Sequence, residues 1–201
     1  RTKQGPHPGT AGGRPDWDRP GQRGRRGVPH LLGGGQSRAA IGGEGGTPVQ
    51  ADSIEGYFRR LEEQGISINF GSYFSETQAR VAVLGNSARA PDAAELARMQ
   101  GIMRTAMRQG AMGMTTALIY PPSAFATIDE VVEVGRVAAE YGGIYASHIR
   151  DEGEGLVGAV QEAIEVGERA GMPVEIFHYK AAFEPGWGTV IKEAAVEIEA
   201  A

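Results

Sequence analysis

The chain has 201 residues, with 20 Lys+Arg against 25 Asp+Glu and a formal net charge of -5, enough length for one domain with a real core. That charge argues against a general binder of nucleic acid or anionic membrane, which would carry a basic excess. With no cysteine, disulfides and thiolate metal sites are excluded, and a cytoplasmic location is expected. No run of 18 apolar residues offers a transmembrane helix, and the basic N-terminus lacks the apolar segment of a secretory signal.

Residues 1–50 differ sharply from the rest. They hold 14 of the 31 Gly, 6 of the 11 Pro and only nine apolar residues, with 8 Lys+Arg against 3 Asp+Glu. Such a segment buries too little apolar surface to offset the entropy of ordering it, so 1–50 is expected to be an irregular arm. Three readings compete for it. Runs such as Gln22-Arg23-Gly24-Arg25-Arg26-Gly27 suit RNA, although Trp17 is the only aromatic available for stacking. A solvated tail is the plain alternative. An out-of-frame reading of a GC-rich gene would also give this composition.

The remainder, 51–201, carries a balance of -10 and is patterned as helices and strands in turn. Ser53 to Gln64 places Ile54, Tyr57, Phe58 and Leu61 at helical spacing and stops at Gly65. Ile66 to Phe70 reads as a strand. Pro91 or Asp92 opens a helix with Leu96, Met99, Ile102, Met103 and Met107 on one stripe, the methionines as core filler, and Gly110 closes it. Met112 to Tyr120 is a strand ended by Pro121-Pro122. Thr127 and Glu130 fit a capping box for a helix through Val131, Val132, Val134, Val137 and Ala138. A strand at Ile144 to Ser147, a helix from Glu154 to Ala170, a strand at Pro173 to Phe177 and a last helix from near Gly188 complete the series.

Strands alternating with helices of this length imply right-handed βαβ units around a parallel sheet, an α/β fold. Spacing alone does not separate a doubly wound sheet from an arc of a (β/α)8 barrel, although no G-x-G-x-x-G follows any strand. His148 and His178 stand 30 residues apart, each at the carboxyl end of a predicted strand in successive units, the edge where parallel sheets gather ligands. Two imidazoles so placed could share a metal ion; they could equally be satisfied structural histidines. Two ligands do not complete a catalytic zinc site, which takes three.

The runs Leu118-Ile119-Tyr120-Pro121-Pro122, Tyr141-Gly142-Gly143-Ile144-Tyr145-Ala146-Ser147-His148-Ile149-Arg150-Asp151-Glu152-Gly153 and Val174-Glu175-Ile176-Phe177-His178-Tyr179-Lys180-Ala181-Ala182 resemble the N-acyl-D-amino-acid deacylases (D-aminoacylases) of the metal-dependent amidohydrolase superfamily. The resemblance runs from about residue 51 to the end and includes Val81-Ala82-Val83-Leu84-Gly85 and the Met99 helix. It implies a partial (β/α)8 barrel of about four βα units, Zn as cofactor, and a small-molecule N-acyl-D-amino acid as substrate, with no nucleic-acid or membrane partner. It also implies that His148 and His178 are metal ligands, that Lys180 holds the substrate carboxylate, and that Tyr120 contacts substrate. Arg150, Asp151 and Glu152 are either partners that orient His148 or ordinary loop salt bridges, and no catalytic role is assigned to them.

The chain departs from the family in having no His-x-His pair, no bridging cysteine and no catalytic aspartate near a last strand, so its catalytic residue is unassigned. Phe183-Glu184-Pro185-Gly186 replaces a segment that in the family is glycine-rich and basic or polar, which puts substrate choice in doubt. A whole barrel takes about 250 residues. The expectation is therefore a central fragment, inactive alone and a weak zinc binder. Two alternatives stand beside this reading: a non-enzymatic α/β domain with structural histidines, and another amidohydrolase of dihydroorotase or hydantoinase type. The second usually needs a carboxylated barrel lysine, and no lysine of 51–201 precedes His148.

Overall fold

A computed structural model describes residues 53–201 together with the backbone of one strand, Ala39–Gly42 (β1). The three readings of the arm, with Trp17, concern segments outside the described residues. β1 itself falls within the stretch expected to be irregular. It pairs in parallel with Asn69–Ser72 (β2), Ala39 opposite Asn69 and Gly42 opposite Ser72.

The helices begin where capping side chains meet the first free N–H groups. Ser53 Oγ accepts the Gly56 N–H at 2.9 Å to start Ile54–Gln64 (α1), and Gly65 ends it at φ +74, a conformation that disfavours any side chain. Asp92 and Glu95 form a full capping box for Ala93–Arg108 (α3), at 2.8 and 2.9 Å. The Thr127 box is only half made. Thr127 Oγ1 accepts the Glu130 N–H at 3.2 Å, but the Glu130 carboxylate turns away to the buried Arg80 guanidinium at 2.5 and 2.6 Å, a charge-assisted pair that outweighs a cap.

The strand expected at 66–70 forms later, as β2, and resumes after Tyr73 as the two-residue Phe74–Ser75 (β3). A helix not anticipated from pattern follows at once, Glu76–Leu84 (α2). The chain then runs through α3, Gly113–Ala117 (β4), Ile128–Ala139 (α4), Ile144–His148 (β5), Leu156–Ala170 (α5), Val174–Ile176 (β6) and Val190–Ala200 (α6).

The main sheet has the order β3-β4-β5-β6, every pair parallel, with Thr115 opposite Ala146 and Ala146 opposite Glu175. A doubly wound sheet reverses its order at a switch point. This one does not reverse, and the fold is an arc of a (β/α)8 barrel.

Alternation along each strand sends Met114, Thr116, Tyr145 and Ser147 to one face and Thr115, Ala146 and His148 to the other. The first face meets the helices. There Met99, Met103, Val131, Val134, Val137, Leu156, Val160 and Val166 are buried with Met114 and Tyr145, each side chain worth about 1.5–3 kcal/mol of transfer free energy. At Gly167 an added Cβ would stand 2.1 Å from Val174 Cγ2, so α5 lies on β6 at a distance only glycine permits. Three buried hydroxyls on this face pair with one another: Thr116 Oγ1 lies 2.8 Å from Tyr145 Oη and 3.0 Å from Ser147 Oγ. Among the described residues no helix is long and apolar enough to cross a membrane.

Candidate metal centre

β5 ends on His148, opposite Ala117 at the carboxyl edge of the sheet. β6 ends on Ile176, and two residues later His178 takes φ +37, in the left-handed region that non-glycine residues seldom occupy. In this turn His178 Nε2 comes within 3.1 Å of His148 Nδ1, with ring centroids 4.4 Å apart and planes at 75°. The two histidines expected to face one another do so, His178 from the loop rather than from the strand proper.

A third donor joins them. Glu152, four residues after His148, is buried to 9% side-chain exposure, and its Oε1 lies 2.8 Å from His178 Nδ1 and 3.6 Å from His148 Nε2. The three ligand-type atoms of His148, Glu152 and His178 all lie within 4.8 Å of one another. Lys180 Nζ sits 2.5 Å from the same Glu152 oxygen and 3.0 Å from His178 Nδ1. The backbone closes the arrangement, with the Ala182 N–H donating to the Glu152 carbonyl at 2.6 Å and so tying the loop after β6 to the loop after β5.

Arg150 and Asp151 do not share in this. Arg150 donates to Glu162 and to the carbonyls of Ala124 and Ala126, and Asp151 accepts the Gly153 N–H. Of the three acids and bases after His148, only Glu152 reaches the imidazoles. The sequence left Glu152 open between a partner that orients His148 and an ordinary loop salt bridge; its contacts with His178 and Lys180 were not foreseen, since they lie 26 and 28 positions away. The one local signal was the four-residue spacing from a strand-end histidine.

Tyr120 stands in the loop after β4, 57% exposed, its ring edge-on to His148 with centroids 5.1 Å apart. Trp187, 66% exposed, has its indole N–H held by the Ala181 carbonyl at 3.0 Å, beside Lys180. On the same sheet face as His148, one pair deeper, Tyr73 donates to Glu175 Oε2 at 3.1 Å, and burial followed by the Glu175 charge pushes the Tyr73 hydroxyl well above the usual phenol range.

This donor set fits a divalent ion of zinc type. Catalytic zinc takes nitrogen and carboxylate ligands at about 2.0–2.2 Å, which puts two nitrogens of one tetrahedral ion about 3.3 Å apart. The 3.1 Å between His148 Nδ1 and His178 Nε2 is close to that span.

No protein-family model matches the chain. A D-aminoacylase of Alcaligenes xylosoxydans xylosoxydans is 36% identical over 158 residues, covering 79% of this chain and 32% of that protein. An N-acyl-D-glutamate deacylase of the same organism is 34% identical over 154 residues, covering 77% and 31%. Among solved structures, an N-acyl-D-glutamate deacylase from Bordetella bronchiseptica, complexed with zinc and a phosphonate mimic of the tetrahedral intermediate, superposes with a TM-score of 0.70 at 32% identity. It is covered over 31% of its length and covers 74% of this chain. A D-aminoacylase mutant in complex with copper chloride gives a TM-score of 0.72 at 29% identity, over 81% of this chain and 38% of that one. The chain spans about a third of the length of the curated relatives it matches.

Proposed function

Because this chain belongs by sequence and fold with the N-acyl-D-amino-acid deacylases, we propose that it carries part of the site of a zinc-dependent hydrolase that cleaves the amide bond of N-acyl-D-amino acids. The observation that supports this most directly is the approach of His178 Nε2 to His148 Nδ1, 3.1 Å at the carboxyl edge of a parallel sheet, with the Lys180 ammonium alongside. His148 and His178 are the residues that would hold zinc. Held there, zinc would polarise the amide carbonyl and make a water easy enough to deprotonate to serve as the nucleophile.

The other residues bind and orient. Lys180, with 48% of its side chain exposed, offers its ammonium to the α-carboxylate of the substrate, a point charge well suited to a single carboxylate. Tyr120 forms an aromatic wall beside His148 and leaves much of its ring open to substrate. The acidic balance of 51–201 suits a small-molecule substrate rather than nucleic acid or an anionic membrane, and the cysteine-free composition suits the cytoplasm. The non-enzymatic domain and the dihydroorotase or hydantoinase type are not favoured, the curated relatives being deacylases.

Zinc titration tests the reading. The His148→Ala/His178→Ala double variant is expected to lose specific zinc binding; equal affinity in the double variant and the unmutated chain would sink it.

A further inference from the structure

We infer that Glu152 is a positioning residue, one buried carboxylate oxygen that holds both the metal-facing histidine and the substrate-facing lysine in place. The inference rests on the proposed site and deepens it. A neutral imidazole carries one N–H and one lone pair. With the proton on Nδ1, His178 donates to Glu152 Oε1 across 2.8 Å, and its Nε2 lone pair faces the side where His148 Nδ1 also points. A carboxylate on the far nitrogen of a metal-bound imidazole fixes the ring and makes the ligating nitrogen more basic.

The rival role for Glu152 is that of a third ligand, and the geometry weighs against it. An ion bonded to Oε1 would stand against the Lys180 ammonium, which lies 2.5 Å from that same oxygen. It would also draw on His178 Nδ1 and leave unused the pair of nitrogens that already lie at ligand spacing. As a positioning residue, Glu152 keeps both of its short contacts when the ion binds. Its backbone carbonyl, accepting the Ala182 N–H, locks together the loops that carry the two histidines.

The experiment uses the full 201-residue chain with zinc and with cobalt(II), comparing Glu152→Gln and Lys180→Met with the unmutated protein. Glu152→Gln is expected to lower zinc affinity by about 10–100-fold while the visible spectrum of the cobalt-saturated protein keeps its shape, because the ligand set is unchanged. A changed spectrum at saturation would make Glu152 a ligand, and unchanged zinc affinity would deny it any role; either overturns the inference. Lys180→Met leaves His178 its carboxylate and so is expected to hold zinc affinity to well within about tenfold. That comparison decides the matter if Glu152→Gln does not fold, and a tenfold or greater loss in Lys180→Met counts against the inference. Failure of the site reading itself would show differently, as equal zinc binding by the unmutated chain and the double histidine variant.

Discussion

Two clusters in this molecule each set a buried carboxylate against nitrogen donors, and they differ in what closes them. Under the helices, Glu130 meets Arg80 at 1% and 0% side-chain exposure, and the second guanidinium nitrogen donates to the carbonyls of Ser87 and Arg89 at 2.9 and 2.8 Å. At the carboxyl edge of the sheet, Glu152 meets Lys180 and His178, both partly open to solvent. A rigid guanidinium whose two terminal nitrogens are both engaged, shut away from solvent, makes a cluster with little to offer a ligand. A flexible ammonium and an imidazole at the surface make one that can exchange partners. Charge pairing alone therefore does not mark a functional site; access and unspent valence do.

The largest effect should come from breaking the closed cluster. Arg80→Ala strands the buried Glu130 charge and is expected to cost about 3–5 kcal/mol in denaturant unfolding. Next is Glu76, buried beside that pair, where burial first and the Glu130 charge second push its carboxyl well above the ordinary range while Arg80 opposes them. The unfolded chain ionises Glu76 near 4.5 while the folded chain keeps the proton, so stability is greatest below that pH and declines as pH rises towards the folded-state value. Glu76→Gln should flatten the decline and raise the melting temperature at alkaline pH; a pH profile as steep as that of the unmutated chain would count against it.

A change outside both clusters sets the scale. Asp92→Ala removes the α3 capping box and should cost about 1 kcal/mol by thermal unfolding. The smallest effect on stability belongs to the open cluster. Lys180→Met should shift unfolding by less than about 1 kcal/mol, since the Lys180 side chain is half exposed and Glu152 keeps its contact with His178. On the proposed function, the same variant should also lose affinity for N-acyl-D-amino acids in a ligand titration. A stability loss rivalling that of Arg80→Ala would erase the distinction between the clusters.

The contrast also explains what could be foreseen. α3 and α4 are legible because Asp92 and Thr127 announce their starts and apolar residues recur on one stripe. His148 and His178 are legible because βα units repeat at a near-constant length. α2 escapes because its buried side includes Glu76 and Arg80, which read as solvent-facing until a partner 50 residues away is known. β3 is only two residues long, and β1 lies among glycines, so neither shows a period. Glu152 is hidden for the same reason as Arg80: a charged residue in a loop declares its role only through partners distant in sequence.

The unreversed strand order has a kinetic corollary. Ser75 meets Thr115, Ala117 meets His148 and Ser147 meets Ile176, so each new strand closes a loop of roughly thirty to forty residues onto the strand before it, and the entropic penalty of closure, which grows only with the logarithm of loop length, is nearly the same at each step. Assembly can then advance one unit at a time with modest contact order, as in a zipper rather than a puzzle. The histidine pair, contributed by two successive units, comes together at a single such step.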